Sequence, residues 1–201
     1  MTKAKTVLLY FEKNDPVIYR QLKKVGIKPL KKSGGDTDFF AKLCREIIAQ
    51  QLASKAAHAI IGRFLALFPK GLVPEKVLAL PDQTLRDAGL SWAKVSYIKD
   101  LALKVSGRTI QLDKLTDFDD ESVVGELVKV KGIGRWTAEM FLMFTLGRED
   151  VFSHGDLGLN KAIRQLYDFK EKPSREEVEK IIAPWTPFKI YGCLALWSVF
   201  D

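Results

Sequence analysis

Apolar positions recur along this chain at intervals of three and four, and sustained alternation of apolar and polar residues is absent, so the pattern predicts helices throughout. Phe39, Phe40, Leu43, Cys44, Ile47 and Ile48 make one wide stripe, with Asp36 or Thr37 placed to cap it. Ala57, Ile60, Ile61, Phe64, Leu65 and Phe68 make the next, with Ser54 as cap and Pro69-Lys70-Gly71 as stop. Pro74 and Pro81 suit short helix starts. Val95, Ile98, Leu101, Ala102 and Val105 form another stripe, closed by Gly107. Val123, Val124, Leu127 and Val128 follow Asp119, Asp120 and Glu121, which crowd a helix start where negative charge is favoured. Ala138, Phe141, Leu142 and Thr145 continue a helix that begins at about Arg135 and stops near Gly147. A helix is expected over 157–169, Ser174-Arg175-Glu176-Glu177 is a capping box before Val178, Ile181 and Ile182, and a last helix spans about 187–200. The one weak strand candidate is 6–10, with an ordered N-terminal arm as the alternative, and Lys31-Lys32-Ser33-Gly34-Gly35-Asp36 reads as a loop and hinge. The expected fold class is all-α.

At 201 residues the chain makes one large domain or two small lobes with a substantial core. A net charge of +7 and an isoelectric point near 9.3 agree with a nucleic-acid partner without specifying one. Cys44 and Cys193 are too few for a Cys-ligated iron–sulfur cluster or a four-Cys zinc site, and both lie in apolar helical patterns as buried free thiols. Met1-Thr2-Lys3-Ala4-Lys5 leads only into the short run Val7-Leu8-Leu9-Tyr10, which is not a signal peptide, and no apolar run approaches the roughly 18–20 residues of a membrane span. An intracellular monomer with no membrane partner is expected.

The richest chemistry lies in Val128-Lys129-Val130-Lys131-Gly132-Ile133-Gly134-Arg135-Trp136-Thr137-Ala138, followed by Asp156. A Gly-Ile-Gly turn between two helical patterns lets the backbone approach another surface closely. It feeds a helix start whose free N–H groups attract anions, and Lys129, Lys131 and Arg135 flank it. That arrangement suits a DNA phosphate. A tight helix–helix turn with no ligand is the plainer reading of the glycines. Asp156 is placed to cap the helix that starts at Leu157, and a carboxylate after the hairpin helix is also a candidate catalyst.

Residues 127–138 resemble the helix-hairpin-helix of the base-excision DNA glycosylases, and Asp150-Val151-Phe152-Ser153-His154-Gly155-Asp156-Leu157-Gly158-Leu159 resembles their following loop, which ends in the catalytic Asp. Together these mark the HhH-GPD superfamily, and the resemblance is closest to its alkylation-repair branch, 3-methyladenine DNA glycosylase II. Ile47-Ile48-Ala49-Gln50-Gln51-Leu52-Ala53-Ser54-Lys55-Ala56-Ala57 resembles the segment that supplies the intercalating wedge. Leu85-Arg86-Asp87-Ala88-Gly89-Leu90-Ser91, Lys94-Val95-Ser96-Tyr97-Ile98, Trp185-Thr186-Pro187-Phe188 and Leu194-Ala195-Leu196-Trp197 match further family stretches in order.

The resemblance implies two helical lobes flanking a DNA-binding cleft, about 1–50 with 157–201 and about 51–156. It implies a minimal form lacking the β-rich N-terminal domain of some relatives. Asp156 would be the catalytic carboxylate, Leu52 the wedge with Gln51 beside it, and Gly132, Gly134, Arg135, Trp136, Thr137, Lys129 and Lys131 the DNA-backbone contacts. Bifunctional relatives carry Lys at the position of Trp136, so water would be the nucleophile and the abasic strand would stay intact. Trp136, Phe188, Trp185, Met140 and Leu157 would line the base pocket, where an aromatic wall favours a cationic alkylpurine such as 3-methyladenine or 7-methylguanine. Met140 and Leu157 stand where some relatives place aromatics. Each pocket aromatic also has a reading as ordinary core, and Leu52 as core at a helix end. No cofactor is required, but carbonyls at Val128, Val130 and Ile133 are expected to accommodate Na+ or K+. His154 has a DNA contact and a structural hydrogen bond as alternatives, and His58 is expected on a helix surface or in the core. The functional alternatives are a same-scaffold glycosylase for uracil, hypoxanthine or ethenoadducts, and a non-catalytic DNA-structure binder.

Overall fold

The computed structural model describes residues 1–27 and 38–200, and every regular element among them is helical. In chain order the α-helices are α1 (Lys3–Asn14), α2 (Pro16–Val25), α3 (Phe39–Ala49), α4 (Ser54–Ala66), α5 (Pro74–Ala79), α6 (Asp82–Asp87), α7 (Trp92–Ser106), α8 (Asp120–Leu127), α9 (Arg135–Phe141), α10 (Leu157–Leu166), α11 (Arg175–Ile182) and α12 (Lys189–Trp197). Single 3-10 turns lie at Leu112–Lys114, Ala183–Trp185 and Ser198–Phe200, and a π-helical turn at Leu142–Leu146. The caps at Asp36 or Thr37 and the hinge at 31–36 fall outside the described residues.

The chain divides into two compact units, Met1–Ser33 with Glu139–Asp201, and Gly34–Ala138. These boundaries differ from the expected lobes at two places. Helix α3 belongs with the middle of the chain, because its buried face of Phe40, Leu43, Cys44, Ile47 and Ile48 packs on α4, α7 and the 3-10 turn at Leu112–Lys114. Residues 139–156 belong with the termini, tied there by Lys3 to Glu149 (2.6 Å) and Lys189 to Asp150 (3.1 Å).

In the middle unit α7 is the central helix, and α3, α5 and α6 pack on it. Asp38 caps α3 through the Ala41 N–H at 2.9 Å, Ser91 caps α7, and Asp119 caps α8 through Ser122 at 2.7 Å. The N-cap of α4 is Ala53, which has no side-chain capping bond, and Ser54 is the first residue of the helix rather than its cap.

In the terminal unit the segment expected as a strand or arm is α1. A four-residue apolar run carries no period of its own; Val7 and Phe11, one helical turn apart, are buried while Leu9 is exposed. Asp15 ends α1 and starts α2, its Oδ1 accepting the N–H groups of Val17 (3.0 Å) and Ile18 (3.1 Å). Its Oδ2 accepts the Tyr167 hydroxyl and the Trp185 indole N–H, so one nearly buried carboxylate joins the α1–α2 turn to the ends of α10 and α11. Burial, and then the Asp15 charge, push the Tyr167 hydroxyl well above its usual range. The capping box at Ser174 and Glu177 is formed as expected. Helix α10 stops at Leu166, short of 169, and the last helix closes as a 3-10 turn at Ser198–Phe200. Cys44 and Cys193 are buried free thiols, pushed upward chiefly by burial. Among the described residues no helix is long and apolar enough to cross a membrane.

Candidate active site

The hairpin of the middle unit is built where α8 runs out. Val128 caps α8, Val130 donates its N–H to Leu127 O (3.1 Å), and Ile133 donates to Val130 O (3.1 Å). The Val130 and Ile133 side chains are buried beneath the turn, while Gly132, Gly134 and Arg135 lie at the surface. Gly132 is required twice over. Its φ is +79°, and a Cβ there would fall 2.2 Å from the ring of Tyr97 on α7. Gly134 is different, because a Cβ on it would meet nothing in the protein. The first glycine lets the turn lie on α7; the second keeps the outer surface bare.

A carboxylate holds the turn in place. Asp100 on α7 accepts the Lys131 backbone N–H at 2.8 Å and the Lys104 ammonium at 2.6 Å. Burial opposes its charge, but these two donors outweigh it and hold the carboxyl below the usual carboxylate range. Two of the three flanking cations have acidic neighbours in α8. Arg135 pairs with Glu121 (3.0 Å) and Lys129 with Glu126, so the rim of the turn is less basic than its sequence implies. The side chain of Thr137 is half-buried in the first turn of α9.

The second feature of this unit follows α3. The chain leaves the helix at Gln50, passes through Gln51 at φ +56°, and presents Leu52 with 38% of its surface exposed. A glutamine in the left-handed region is strained, typically by about 1–3 kcal/mol, and such strain clusters at functional positions. Leu52 is therefore not core at a helix end.

In the terminal unit Asp156 occupies the N-cap of α10. Its Oδ1 accepts the Leu159 N–H at 2.8 Å and lies 3.3 Å from the Trp197 indole N–H, and the residue is 7% exposed. The loop before it is fixed from three sides. Ser153 donates its hydroxyl to the buried Glu139, Asp156 N–H reaches Ser153 O at 3.2 Å, and Asn160 bonds the carbonyls of both His154 (2.9 Å) and Asp156 (2.7 Å). Gly158 matters here too, since a Cβ on it would lie 3.2 Å from Asp156 Oδ1 and 3.5 Å from the Trp197 ring. The arrangement is a carboxylate held rigidly at a helix N-terminus, where its negative charge is favoured.

Residues 44–187 match the family described as HhH-GPD superfamily base excision DNA repair protein. The chain belongs to the HhH-GPD superfamily. A crystal structure of a DNA-3-methyladenine glycosidase from Bacillus halodurans superposes with a TM-score of 0.81 at 32% identity, over 98% of this chain and 89% of that one. The Schizosaccharomyces pombe 3-methyladenine DNA glycosylase Mag1, solved in complex with abasic DNA, superposes with a TM-score of 0.77 at 28% identity, over 96% of this chain and 95% of its own. The Bacillus subtilis protein YfjP is 34% identical over 77% of this chain, which spans 56% of YfjP's length.

Within this HhH-GPD chain the expected pocket residues fall into two groups. Trp136 is 48% exposed and Leu157 79% exposed, and Met140 and Phe188 are half-buried. Phe188 packs edge-on against Tyr10 at 5.1 Å, with the Lys3 ammonium 4.7 Å from its ring. Trp185 does not belong with them. It is 0% exposed, its indole N–H is bonded to Asp15 at 2.7 Å, and its ring occupies the space a side chain on Gly192 would need. That residue is core. His154 is likewise engaged, its Nε2 2.9 Å from Glu179, and the exposed His58 bonds the Ser54 carbonyl on the surface of α4.

Trp197 is the residue the sequence pattern did not single out. It contacts Asp156 and lies 5.9 Å from Phe144, a half-exposed ring in the π-helical turn that follows α9. π-helical turns are uncommon and recur at functional sites. The signals available in sequence were a tryptophan late in an apolar helix and its place at the end of the matched stretch Leu194-Ala195-Leu196-Trp197.

Proposed function

We propose that this chain is a monofunctional DNA glycosylase that removes alkylated purines such as 3-methyladenine and 7-methylguanine from duplex DNA, leaving an abasic site. The observation that carries the reading is Asp156, a nearly buried carboxylate fixed at the N-terminus of α10 by Leu159 and Trp197. The 3-methyladenine glycosylases among its relatives, one of them bound to abasic DNA, support the substrate class.

The chemistry follows from charge. An N-alkylated purine carries positive charge, so it departs as a neutral base, taking the electrons of the glycosidic C–N bond. Positive charge develops on the sugar, and the Asp156 carboxylate is the group that opposes it. Water adds to the sugar carbon and gives up a proton, with the carboxylate as acceptor. Trp136 offers no amine in place of water, so no covalent enzyme–sugar step arises and the strand is not cut. A base inside a duplex must first be extruded, at a cost of a few kcal/mol. Leu52 is suited to fill the gap because it is apolar and held outward, with Gln51 beside it.

Backbone N–H groups at Gly132, Gly134 and Trp136 would hold a phosphate, with Lys131 as the nearby cation. The carbonyls of Val128, Val130 and Ile133 would hold Na+ or K+. They fit in that Val128 caps the negative end of α8, and Val130 O keeps a lone pair beyond the Ile133 bond. A bound cation there would add a positive charge beside the phosphate.

Base release from duplexes carrying 7-methylguanine or 3-methyladenine tests the proposal, with uracil, hypoxanthine and ethenoadenine duplexes alongside. Release of the alkylpurines, with strand breaks appearing only after alkali, is expected. Release confined to the other lesions would replace the substrate class. Salt-sensitive duplex binding with no release of any base would make the chain a DNA-structure binder.

A further inference from the structure

The strained turn that carries Leu52 is held by two residues that have no part in the chemistry above. Helix α3 has no basic residue in its own last turn. Its C-terminal carbonyls are served instead by Lys94, from the first turn of α7. The Lys94 ammonium donates to Ile48 O at 2.8 Å and to Gln50 O at 2.7 Å, the last carbonyls before the left-handed residue Gln51. A cation at this position satisfies orphan acceptors and the negative end of the helix together. Lys94 is half-buried, and desolvation pulls its ammonium below the usual lysine range.

The Gln50 side chain makes the second tie. Its Nε2 donates to Gly132 O at 2.9 Å, across 82 residues of sequence, onto the glycine whose positive φ shapes the hairpin. Within the turn, Gln50 N–H reaches Glu46 O and Leu52 N–H reaches Ala49 O, both at 3.2 Å. A non-glycine residue at φ +56° persists only where its surroundings over-determine it. Here those surroundings are Lys94 on one side and the hairpin, through Gln50, on the other.

We infer that Lys94 and Gln50 form a clamp that holds the wedge turn loaded, with Leu52 outward, and that Lys94 is a positioning residue for base extrusion. The inference rests on the glycosylase reading and on Leu52 as its wedge. It assigns to the hairpin a second task besides gripping phosphate, since the Gly132 carbonyl fixes the register of the wedge. The clamp removes in advance the conformational freedom that Leu52 would otherwise lose on entering the duplex, so its loss slows extrusion more than it weakens duplex binding.

The test is a double-mutant cycle in single-turnover excision of 7-methylguanine, using Lys94→Met, Leu52→Gly and the pair, with Lys94→Arg as the conservative variant. Lys94→Met is expected to slow excision about 10-fold in the parent and less than about 2-fold in the Leu52→Gly background, because residues acting as one unit are not additive. Lys94→Arg should recover most of the rate, and salt titration of undamaged duplex binding should be unchanged. An equal loss in both backgrounds would overturn the clamp, and a Leu52→Gly protein with the parent's rate would remove the wedge on which it rests. Amide hydrogen exchange in the free protein reads the clamp without activity. Lys94→Met should speed exchange at Gln50 and Leu52 by about 10-fold while the α7 amides keep their protection. Unchanged exchange would overturn the clamp even in a chain that released no base, which would be the separate failure of the glycosylase reading.

Discussion

The Trp197 indole N–H lies 3.3 Å from the Asp156 carboxylate and, with the Leu159 N–H, defines where that carboxylate points. The two residues are 41 apart in sequence, one heading α10 and the other ending α12, and α10 and α12 pack directly on each other. Helix packing in the terminal unit thus sets the orientation of the catalytic candidate.

Trp197→Phe keeps the ring and removes the donor. A hydrogen bond to a charged group contributes about 1.5–3 kcal/mol, and this one is long, so excision should slow by about 10-fold with duplex binding unaltered. Single-turnover rates and binding isotherms on the same alkylated duplex separate the two. A rate within twofold of the parent would show that the indole does not position the carboxylate.

The two hairpin glycines should respond differently to the same change. Gly132→Ala collides with Tyr97 and strains a positive φ, so the middle unit should lose about 3 kcal/mol of stability and duplex binding with it. Gly134→Ala meets nothing in the protein, so the melting temperature should hold while duplex affinity falls. Thermal unfolding and salt-dependent binding of both variants check this. Unchanged affinity in Gly134→Ala would mean that no partner approaches that face closely.

Glu121→Gln removes the Glu121–Arg135 ion pair. The pair is exposed and contributes about 1 kcal/mol at most, so stability should barely change. Duplex affinity should rise up to about fivefold, and the slope of log K against log salt should steepen by about 0.9 if Arg135 then meets a phosphate. A flat response would leave Arg135 out of the DNA contact.

Asp100 makes hairpin order depend on acid. Its carboxyl is held below 3.8, the ordinary value for an aspartate, so the stability it contributes is present above that pH and is lost as pH falls through the lower folded value. Asp100→Asn keeps an acceptor for Lys131 N–H but not the charge. The parent should therefore melt higher at pH 7, and the gap between parent and variant should close below pH 3.8. A gap independent of pH would assign the stabilisation to shape rather than charge.

Much of this was legible in the sequence where the determinants are local. The acidic start of α8 at Asp119, the cap at Asp156, the capping box at Ser174, the stop at Gly107 and the Gly-Ile-Gly turn each depend on residues within a few positions of one another. What was not legible depends on distant partners. Trp185 has both a pocket and a core reading in the sequence, and Asp15, 170 residues away, decides between them by holding its indole in the core. Helix α1 hides in a short apolar run because its period appears only when Phe11 is counted with Val7. Lys94 heads a matched stretch that carries no stated role, and only the fold brings its ammonium to the carbonyls beneath Leu52.

Asp156→Asn tests the central claim most directly, because the amide oxygen can still cap α10 while the charge is gone. Base release from a 7-methylguanine duplex should fall by about a thousandfold or more, the scale of a lost transition-state electrostatic partner, while affinity for the same duplex stays within about threefold. Turnover equal to the parent's would contradict the account and place the catalytic group elsewhere in the chain.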